Sequence, residues 1–281
     1  MTHSATLPLM LKQLKLTAMA RHWQHLLDEA ERNAWDGGRY LAMLCEQELG
    51  ERDSRRIARY TTESRLPVGK SLASFDFSQV PGLAQAQIEA LAGSSEWTRQ
   101  ARNLLLFGAS GVGKTHLAAA IGHGLTEQSV RVRYFPTTAL VQQLQLAREQ
   151  LHLQEALSRL DKYAVLILDD FGYVKKNEQE TRVLFELIAH RYESGSLIIT
   201  SNQAFADWDR IFPDQMMTVA AVDRLVHHAT IIEVGSDSYR RKQARAQAEP
   251  AAPTTSGQPA TTTPSPGDAR GDPAPAATAS P

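Results

Sequence analysis

The stretch Gly108-Ala-Ser-Gly-Val-Gly-Lys-Thr115 decides the fold predicted for this chain. It satisfies the pattern G-x-x-x-x-G-K-[ST], with the short apolar run Asn103–Phe107 before it and a helix-forming run after it. Glycines let such a loop curve around a polyphosphate, so that backbone N–H groups and the N-terminus of the next helix face anionic oxygens. Lys114 can reach the β- and γ-phosphates, and the Thr115 hydroxyl can ligate Mg²⁺. The stretch therefore predicts a nucleotide-binding site rather than a glycine-rich turn without a ligand.

The composition indicates a globular protein without strong overall charge. The 281 residues have a formal net charge of −1 and include one cysteine, Cys45, which excludes an internal disulfide framework. No apolar run approaches the roughly 20 residues that a membrane-spanning helix needs. The N-terminus also lacks the order of charged, apolar and small residues typical of a signal peptide. We expect a soluble, cytoplasmic protein of one or two domains.

Residues 1–66 are predicted to form a small helical domain that contacts DNA or a partner protein. Apolar residues recur at helical spacing from Leu11 to Leu27, and a second such pattern begins at Tyr40, after Asp36-Gly-Gly38. The second helix is expected to continue to about residue 66, where Pro67 stops it.

A row of arginines follows one face of this second helix. Their spacing of three and four residues places Arg52, Arg55, Arg56 and Arg59 side by side. Such a row suits contact with a phosphate backbone. It suits equally a solvated face on which the arginines pair with nearby Glu48, Glu51 and Asp53. The sequence leaves these two interpretations open.

Two segments are predicted to lack helices and strands. Residues 67–79 read as an extended linker that carries Phe75-Asp-Phe77. Residues 249–281 are rich in Pro, Ala, Thr, Ser and Gly and contain almost no large apolar residues. Because such a composition cannot bury enough surface to offset the entropy of ordering, we expect a disordered tail.

Between these segments, residues 80–248 are predicted to form an α/β domain. Short apolar runs separated by helical stretches indicate a parallel sheet with helices on both faces. The expected strands are 103–107, 131–135, 164–168, 197–200 and 229–234. Two helical patterns, 139–149 and 151–160, stand where one crossover helix would suffice.

Polar residues follow two of the predicted strands. Asp169 and Asp170 end the run Val165-Leu-Ile-Leu168, and in a phosphate-binding-loop enzyme the first acid at this place holds the Mg²⁺ shell. The second acid can act as general base on the attacking water. Asn202 ends the next strand. If that strand lies between the loop strand and the acid strand, Asn202 can reach the γ-phosphate and the water.

Several motifs together resemble a known family. They are Gly-Val-Gly-Lys-Thr-His-Leu-Ala (111–118), Leu-Asp-Asp-Phe-Gly-Tyr (168–173), Leu-Phe-Glu-Leu-Ile-Ala-His-Arg-Tyr (184–192), Ile-Ile-Thr-Ser-Asn (198–202), Asp-Arg-Leu-Val-His-His (223–228) and Ser-Tyr-Arg (238–240). With them the chain resembles the IstB family. These proteins are AAA+ ATPases with a P-loop NTPase fold. They assist the transposases of insertion sequences and are similar to the DnaC helicase loaders and DnaA initiators.

The resemblance implies a role for each site residue. Lys114 and Thr115 would be Walker A residues, and Asp169 and Asp170 the Walker B pair, with Thr115 and Asp169 on the metal. Asn202 resembles sensor 1, Arg224 an arginine finger for the adjacent subunit, and Arg240 the sensor 2 arginine. ATP would contact Gly108, Ala109, Ser110, Gly111, Val112, Gly113, Lys114, Thr115 and His116, together with Arg240.

The resemblance also implies partners. An ATP-dependent homo-oligomer would assemble on double-stranded DNA and recruit a cognate transposase, and hydrolysis would disassemble it. The helical pair at 137–160 is similar to an insertion that faces DNA in relatives. A DnaC-like helicase loader is the nearer alternative. A small-molecule kinase or a non-hydrolysing nucleotide-binding scaffold is the more distant one.

Overall fold

The computed structural model of the protein describes residues 3–172, 178–203, 208 and 215–235. Five strands lie at Asn103–Phe107 (β1), Val132–Pro136 (β2), Val165–Asp169 (β3), Ser196–Ser201 (β4) and Ala229–Glu233 (β5). They form one sheet in the order β2-β3-β4-β1-β5, and every pair of neighbours is parallel. Every residue of β1, β3 and β4 is buried, as expected for strands covered on both faces. The predicted parallel sheet is confirmed.

Helices cover both faces of this sheet. They are α4 (Gln85–Gly93), α5 (Glu96–Arg99), α6 (Lys114–Glu127), α7 (Thr137–Glu149), α8 (Leu153–Leu160), α9 (Glu178–Arg191) and α10 (Gln215–Val226). Successive side chains of a strand point to opposite faces. Leu104 accordingly packs in one core with Leu117 of α6, whereas Leu105 packs in the other core with Leu144 of α7. The two helical patterns predicted between β2 and β3 are confirmed as α7 and α8.

The N-terminal region contains three helices where two helical patterns were expected. They are α1 (His3–Gln13), α2 (Thr17–Arg32) and α3 (Gly37–Ser64). The first pattern is broken at Lys15, which has a left-handed φ of 58° that a helix does not tolerate. Helix α3 begins close to its predicted place. The Asp36 carboxylate caps this end of the helix, since it accepts a hydrogen bond of 2.8 Å from the Arg39 N–H.

The N-terminus of α2 is capped by a carboxylate from another helix. Leu16, at the position before the helix, offers no side-chain cap. Glu48 of α3 accepts hydrogen bonds from the N–H groups of Ala18, at 2.7 Å, and Met19, at 3.2 Å. Glu48 is only 2% exposed, and its charge is compensated by Arg52 at 2.8 Å. The contact joins the two helices through the free N–H groups at a helix start.

The arginine row on α3 is paired with carboxylates of the same region. Arg52 and Arg55 lie 2.8 and 3.8 Å from Glu48. Arg56 lies 2.8 Å from Asp53, and Arg59 lies 4.0 Å from Glu63. These contacts favour the interpretation of a solvated face with paired charges over that of a row that contacts a phosphate backbone.

The prediction of an extended linker is wrong for residues 68–79. Two 3₁₀ helices, Leu72–Ser74 and Phe77–Gln79, lie within this segment. The side chains of Ser71 and Ser74 cap the first one reciprocally. Phe75 and Phe77 make an edge-to-face contact at 4.8 Å and pack against the α6 core. The segment is folded because its two aromatic rings bury apolar surface against the domain.

In the part of the chain that the structure describes, none of the helices has the length and apolar character that crossing a membrane requires. The predicted tail at 249–281 lies outside the described residues.

Candidate functional site

A cavity of about 460 Å³ lies at the carboxyl edge of the sheet. The glycine-rich loop, residues 110–116, forms one wall. Asp170 and Asn202, which follow β3 and β4, also line it. The remaining wall comes from the segment before the domain core and consists of Lys70, Ser74, Phe75, Asp76, Gln79 and Val80. This last group was not anticipated, because a segment interpreted as a linker gave no reason to place it at the site.

Two glycines of the loop combine a positive φ with a close neighbour. Gly108 has a φ of 147°, and a Cβ there would lie 2.2 Å from the carbonyl oxygen of Val234. Gly113 has a φ of 101°, and a Cβ there would lie 2.8 Å from the Phe75 ring. Both residues adopt conformations that other residues rarely occupy, and both are closely approached by a neighbour. The loop is therefore held between the end of β5 and the folded segment around Phe75.

Lys114 is directed back over the loop. Its ammonium donates hydrogen bonds of 2.8 Å to the carbonyl oxygens of Gly108 and Ala109, and the residue is 6% exposed. A buried ammonium needs such partners. The arrangement holds a positive charge at the loop, beside the cavity that Lys114 lines.

Asp169 accepts hydrogen bonds on both of its carboxylate oxygens. Its Oδ1 accepts hydrogen bonds from the hydroxyls of Thr115, at 2.9 Å, and Thr200, at 2.6 Å. Its Oδ2 accepts one from the Tyr134 hydroxyl at 2.6 Å. Burial raises the pKa of Tyr134, and the bond to Asp169 raises it further, so this phenol stays protonated and donates. Asp169 itself is 5% exposed.

Asp170 differs from Asp169 although the two are adjacent. Asp170 is exposed at the cavity and has a left-handed φ of 57°. Its N–H donates to the Thr200 hydroxyl at 2.9 Å, which fixes the turn. The buried acid therefore lies beside Thr115, and the exposed acid faces the cavity.

Asn202 is placed by the strand order. Because β4 lies between β1 and β3, the residue that follows β4 is next to both the glycine loop and the aspartate pair. This is the strand order on which its predicted role depended. Asn202 is exposed and lines the cavity.

His116 lines the cavity from the first turn of α6. Its Nε2 lies 2.9 Å from the Ser71 carbonyl oxygen and 3.2 Å from the Ser74 hydroxyl. Its ring contacts Phe75 edge-to-face at 5.2 Å. His116 therefore joins the loop to the segment around Phe75.

Arg224 lies at the opposite edge of the sheet from the cavity. It is in the last turn of α10, next to Leu225, whose carbonyl accepts a hydrogen bond of 3.0 Å from Asn103 at the start of β1. The five residues of β1 then separate this point from the loop, a distance of roughly 16 Å. The guanidinium lies over the Phe185 ring at 5.3 Å. Arg224 is thus out of reach of its own cavity. Arg240 lies outside the described residues.

Tyr134 and Thr200 are two further site residues that sequence reasoning missed. Tyr134 lies in an apolar strand and reads as core, and Thr200 lies in a Thr-Ser-Asn run that reads as a turn. No local signal marks Tyr134 in the sequence, because its role depends on the pairing of β2 with β3.

Comparison with known proteins places this site in a family. The model of the IstB-like ATP-binding proteins matches residues 9–248. A protein of Sinorhizobium fredii described as an insertion sequence ATP-binding protein is 50% identical over 240 residues, which cover 85% of this chain and 80% of that protein. A protein of Pseudomonas aeruginosa described as an ATP-binding protein of insertion sequence IS21 is 36% identical, with coverage of 85% and 90%.

Solved structures show the same fold at low identity. The replication initiator DnaA bound to AMPPCP and single-stranded DNA matches with a TM-score of 0.51 and 20% identity, covering 66% of this chain and 56% of that one. DnaI matches with a TM-score of 0.51 and 22% identity, covering 61% and 96%. The predicted P-loop fold of the AAA+ type is confirmed, and the chain belongs to the family of IstB-like ATP-binding proteins.

Proposed function

We propose that the protein binds ATP with Mg²⁺ in this cavity and hydrolyses it. The observation that carries the proposal is the contact of 2.9 Å between the Thr115 hydroxyl and the Asp169 carboxylate, at a cavity that Asp170 and Asn202 also line. Hydroxyl and carboxylate oxygens are the donors that Mg²⁺ takes in nucleotide sites, so this pair fits the ion. Membership of an ATP-binding family supports the choice of nucleotide.

Each residue then has a distinct task. Lys114 exchanges its carbonyl partners for the β- and γ-phosphate oxygens, and the loop N–H groups bind the remaining phosphate oxygens. Thr115 and Asp169 hold Mg²⁺, which when bound neutralises charge on the phosphate oxygens. Asp170 accepts a proton from the attacking water, and Asn202 orients that water without adding charge.

We further propose that ATP controls assembly on DNA. Arg224 would stabilise the phosphoryl charge in the site of a neighbouring subunit, which would make assembly depend on the γ-phosphate. The oligomer would bind double-stranded DNA chiefly through phosphates, so that its affinity falls steeply with salt. Relatives described as insertion sequence ATP-binding proteins support a transposase as partner. Residues 1–66 are the proposed domain for contact with DNA or this partner.

Two substitutions test the nucleotide site. Lys114→Ala removes the charge beside the phosphates and is expected to abolish both ATP binding and hydrolysis. Asp170→Asn keeps the loop and the metal pair, so it is expected to bind ATP while the hydrolysis rate falls by about 10²-fold or more. Binding of a fluorescent ATP analogue and release of phosphate measure the two effects. The matched control is Arg99→Ala, which removes a charge from an exposed pair with Glu96 far from the cavity. Wild-type hydrolysis rates in both site variants would overturn the assignment.

DNA and partner binding are tested separately from the chemistry. The proposal expects duplex DNA to stimulate hydrolysis and the protein to capture a cognate transposase. Capture of a replicative helicase instead would favour the loader function. Phosphate transfer to a small acceptor, with no effect of DNA, would favour a kinase.

A further inference from the structure

The Tyr134 hydroxyl contacts the carboxylate that the proposed function places at the metal. Tyr134 lies on β2, and its ring packs partly buried against the α6 core. Its hydroxyl lies 2.6 Å from Asp169 Oδ2, the oxygen that neither threonine contacts. In the paired strands Pro136 is opposite Asp169, so Tyr134 reaches diagonally across from two residues earlier.

The contact with Tyr134 determines which acceptor site of the Asp169 carboxylate stays open. An ionised carboxylate offers about four acceptor sites, two on each oxygen. Thr115 and Thr200 occupy both sites of Oδ1, and Tyr134 occupies one site of Oδ2. Among the described residues, this leaves one acceptor site on Oδ2, the one that can accept from a metal-bound water. Since a carboxylate with donors on both oxygens cannot rotate freely, the plane of Asp169 is fixed.

The backbone of Asp169 is held by the same part of the chain. Thr137, the first residue of α7, donates its hydroxyl to the Asp169 carbonyl at 2.7 Å. The end of β2 and the start of α7 therefore hold this residue at its side chain and at its main chain. Thr137 is 1% exposed, so this second contact is shielded from water.

We infer that Tyr134 is a positioning residue for the magnesium site. Its hydroxyl orients the Asp169 carboxylate so that the free acceptor site of Oδ2 faces the water shell of the metal. This inference rests on the proposed function, since it concerns the same site. Hydrogen-bond partners of metal ligands typically change metal affinity or activity by 10- to 100-fold when they are removed. Tyr134 acts through Asp169 and need not touch the nucleotide.

The test is a magnesium titration of nucleotide binding in the full-length protein. In Tyr134→Phe the ring is kept and only the hydroxyl is lost. We expect the Mg²⁺ concentration for half-maximal binding of a fluorescent ATP analogue to rise by about tenfold. Binding of the analogue in EDTA should not change, because the phosphate loop is intact. Tyr192→Phe is the matched control, since its hydroxyl contacts His227 away from the cavity.

Four outcomes would count against the inference or its basis. A Tyr134→Phe titration that matches the wild type overturns it. So does a lower Mg²⁺ requirement, because that result would mean that the hydroxyl competes with the metal for Oδ2. A wild-type protein whose analogue binding ignores Mg²⁺ would instead overturn the proposed function. Thermal unfolding without Mg²⁺ checks the fold of the variant. If Tyr134→Phe does not fold, Thr200→Val removes a donor to Oδ1 and should show the same rise; an unchanged titration there overturns the inference.

Discussion

Gly195 has no side chain, and the guanidinium of Arg191 fills the space that a Cβ would occupy. A Cβ at Gly195 would lie 2.1 Å from Arg191 Nη2. The guanidinium is 2% exposed and donates to the carbonyl oxygens of Tyr163, at 3.0 Å, and Ala164, at 2.9 Å. Burial lowers the pKa of Arg191 to about 10, against the opposing effect of Asp161. The same guanidinium donates to the Ser196 carbonyl oxygen at 3.4 Å, so one arginine satisfies backbone carbonyls just before β3 and at the start of β4.

Gly195→Ala is therefore expected to destabilise the protein. The new methyl group must displace either Arg191 or the backbone, a kind of overpacking that costs about 1–3 kcal/mol. Chemical denaturation measures the free energy of unfolding. Gly93→Ala is the matched control, because nothing lies within 4 Å of a Cβ at that helical position. An equal effect of the two substitutions would show that the contact with Arg191 is unimportant.

At the level of helices, Glu48 shows how one element completes another. The carboxylate supplies the cap that the sequence around Leu16 does not provide, and it accepts from Arg52. Burial by itself would raise the pKa of Glu48. The hydrogen bonds from Arg52, Met19 and Ala18 outweigh it, so the net pKa is lowered. The charged form is thus the one that the fold stabilises.

The expected result for Glu48→Gln is a loss of about 1–3 kcal/mol of stability near neutral pH, as for hydrogen bonds to a charged group. Because the folded pKa is below the unfolded one, the contribution of Glu48 is present above the ordinary pKa of a glutamate. It disappears as the pH falls through the lower folded value. Melting temperatures of wild type and variant should therefore converge in acid. Glu46→Gln, at an exposed site on the same helix, should track the wild type throughout.

The elements differ in how far the sequence predicts them. Continuous apolar runs such as Leu104–Phe107 bury both faces of a strand, so β1, β3 and β4 follow from local composition. The break at Lys15 and the fold of residues 68–79 do not. The helix after the break is capped by Glu48, which is thirty residues beyond Ala18, and the fold of residues 68–79 depends on a surface that Phe75 meets only after folding.

The site shows the same division. Lys114, Thr115, Asp169 and Asp170 carry a pattern with a chemical reason, so their grouping at one edge could be predicted. Tyr134 and the cavity wall near Lys70 could not, because their roles arise from strand pairing and packing that leave no local mark.

For the molecule as a whole, the distance between Arg224 and its own cavity calls for a mixing experiment. Arg224→Ala subunits keep a complete loop, and Lys114→Ala subunits keep the arginine. If the arginine acts on a neighbour, each pure variant is inactive and a mixture regains part of the ATPase activity. Phosphate release across mixing ratios measures this.

The control for the mixing experiment is Arg182→Ala, which removes an exposed arginine paired with Glu178 on α9. This variant should keep its ATPase activity both alone and in mixtures. Full activity of Arg224→Ala by itself would contradict a role for that arginine.

The position of β1 between β4 and β5 has a consequence for how the chain folds during synthesis. Among the described strands, the one that carries the phosphate loop pairs with β4 and β5, which begin at Ser196 and Ala229. Asn103 and Leu197, joined by a hydrogen bond of 2.9 Å, are 94 residues apart in sequence. Until the ribosome has released β4, β1 has two unpaired edges, and contacts of such separation form slowly. The nucleotide site is thus among the last parts to form, and nascent chains that stop before Ser196 are expected to need protection from aggregation.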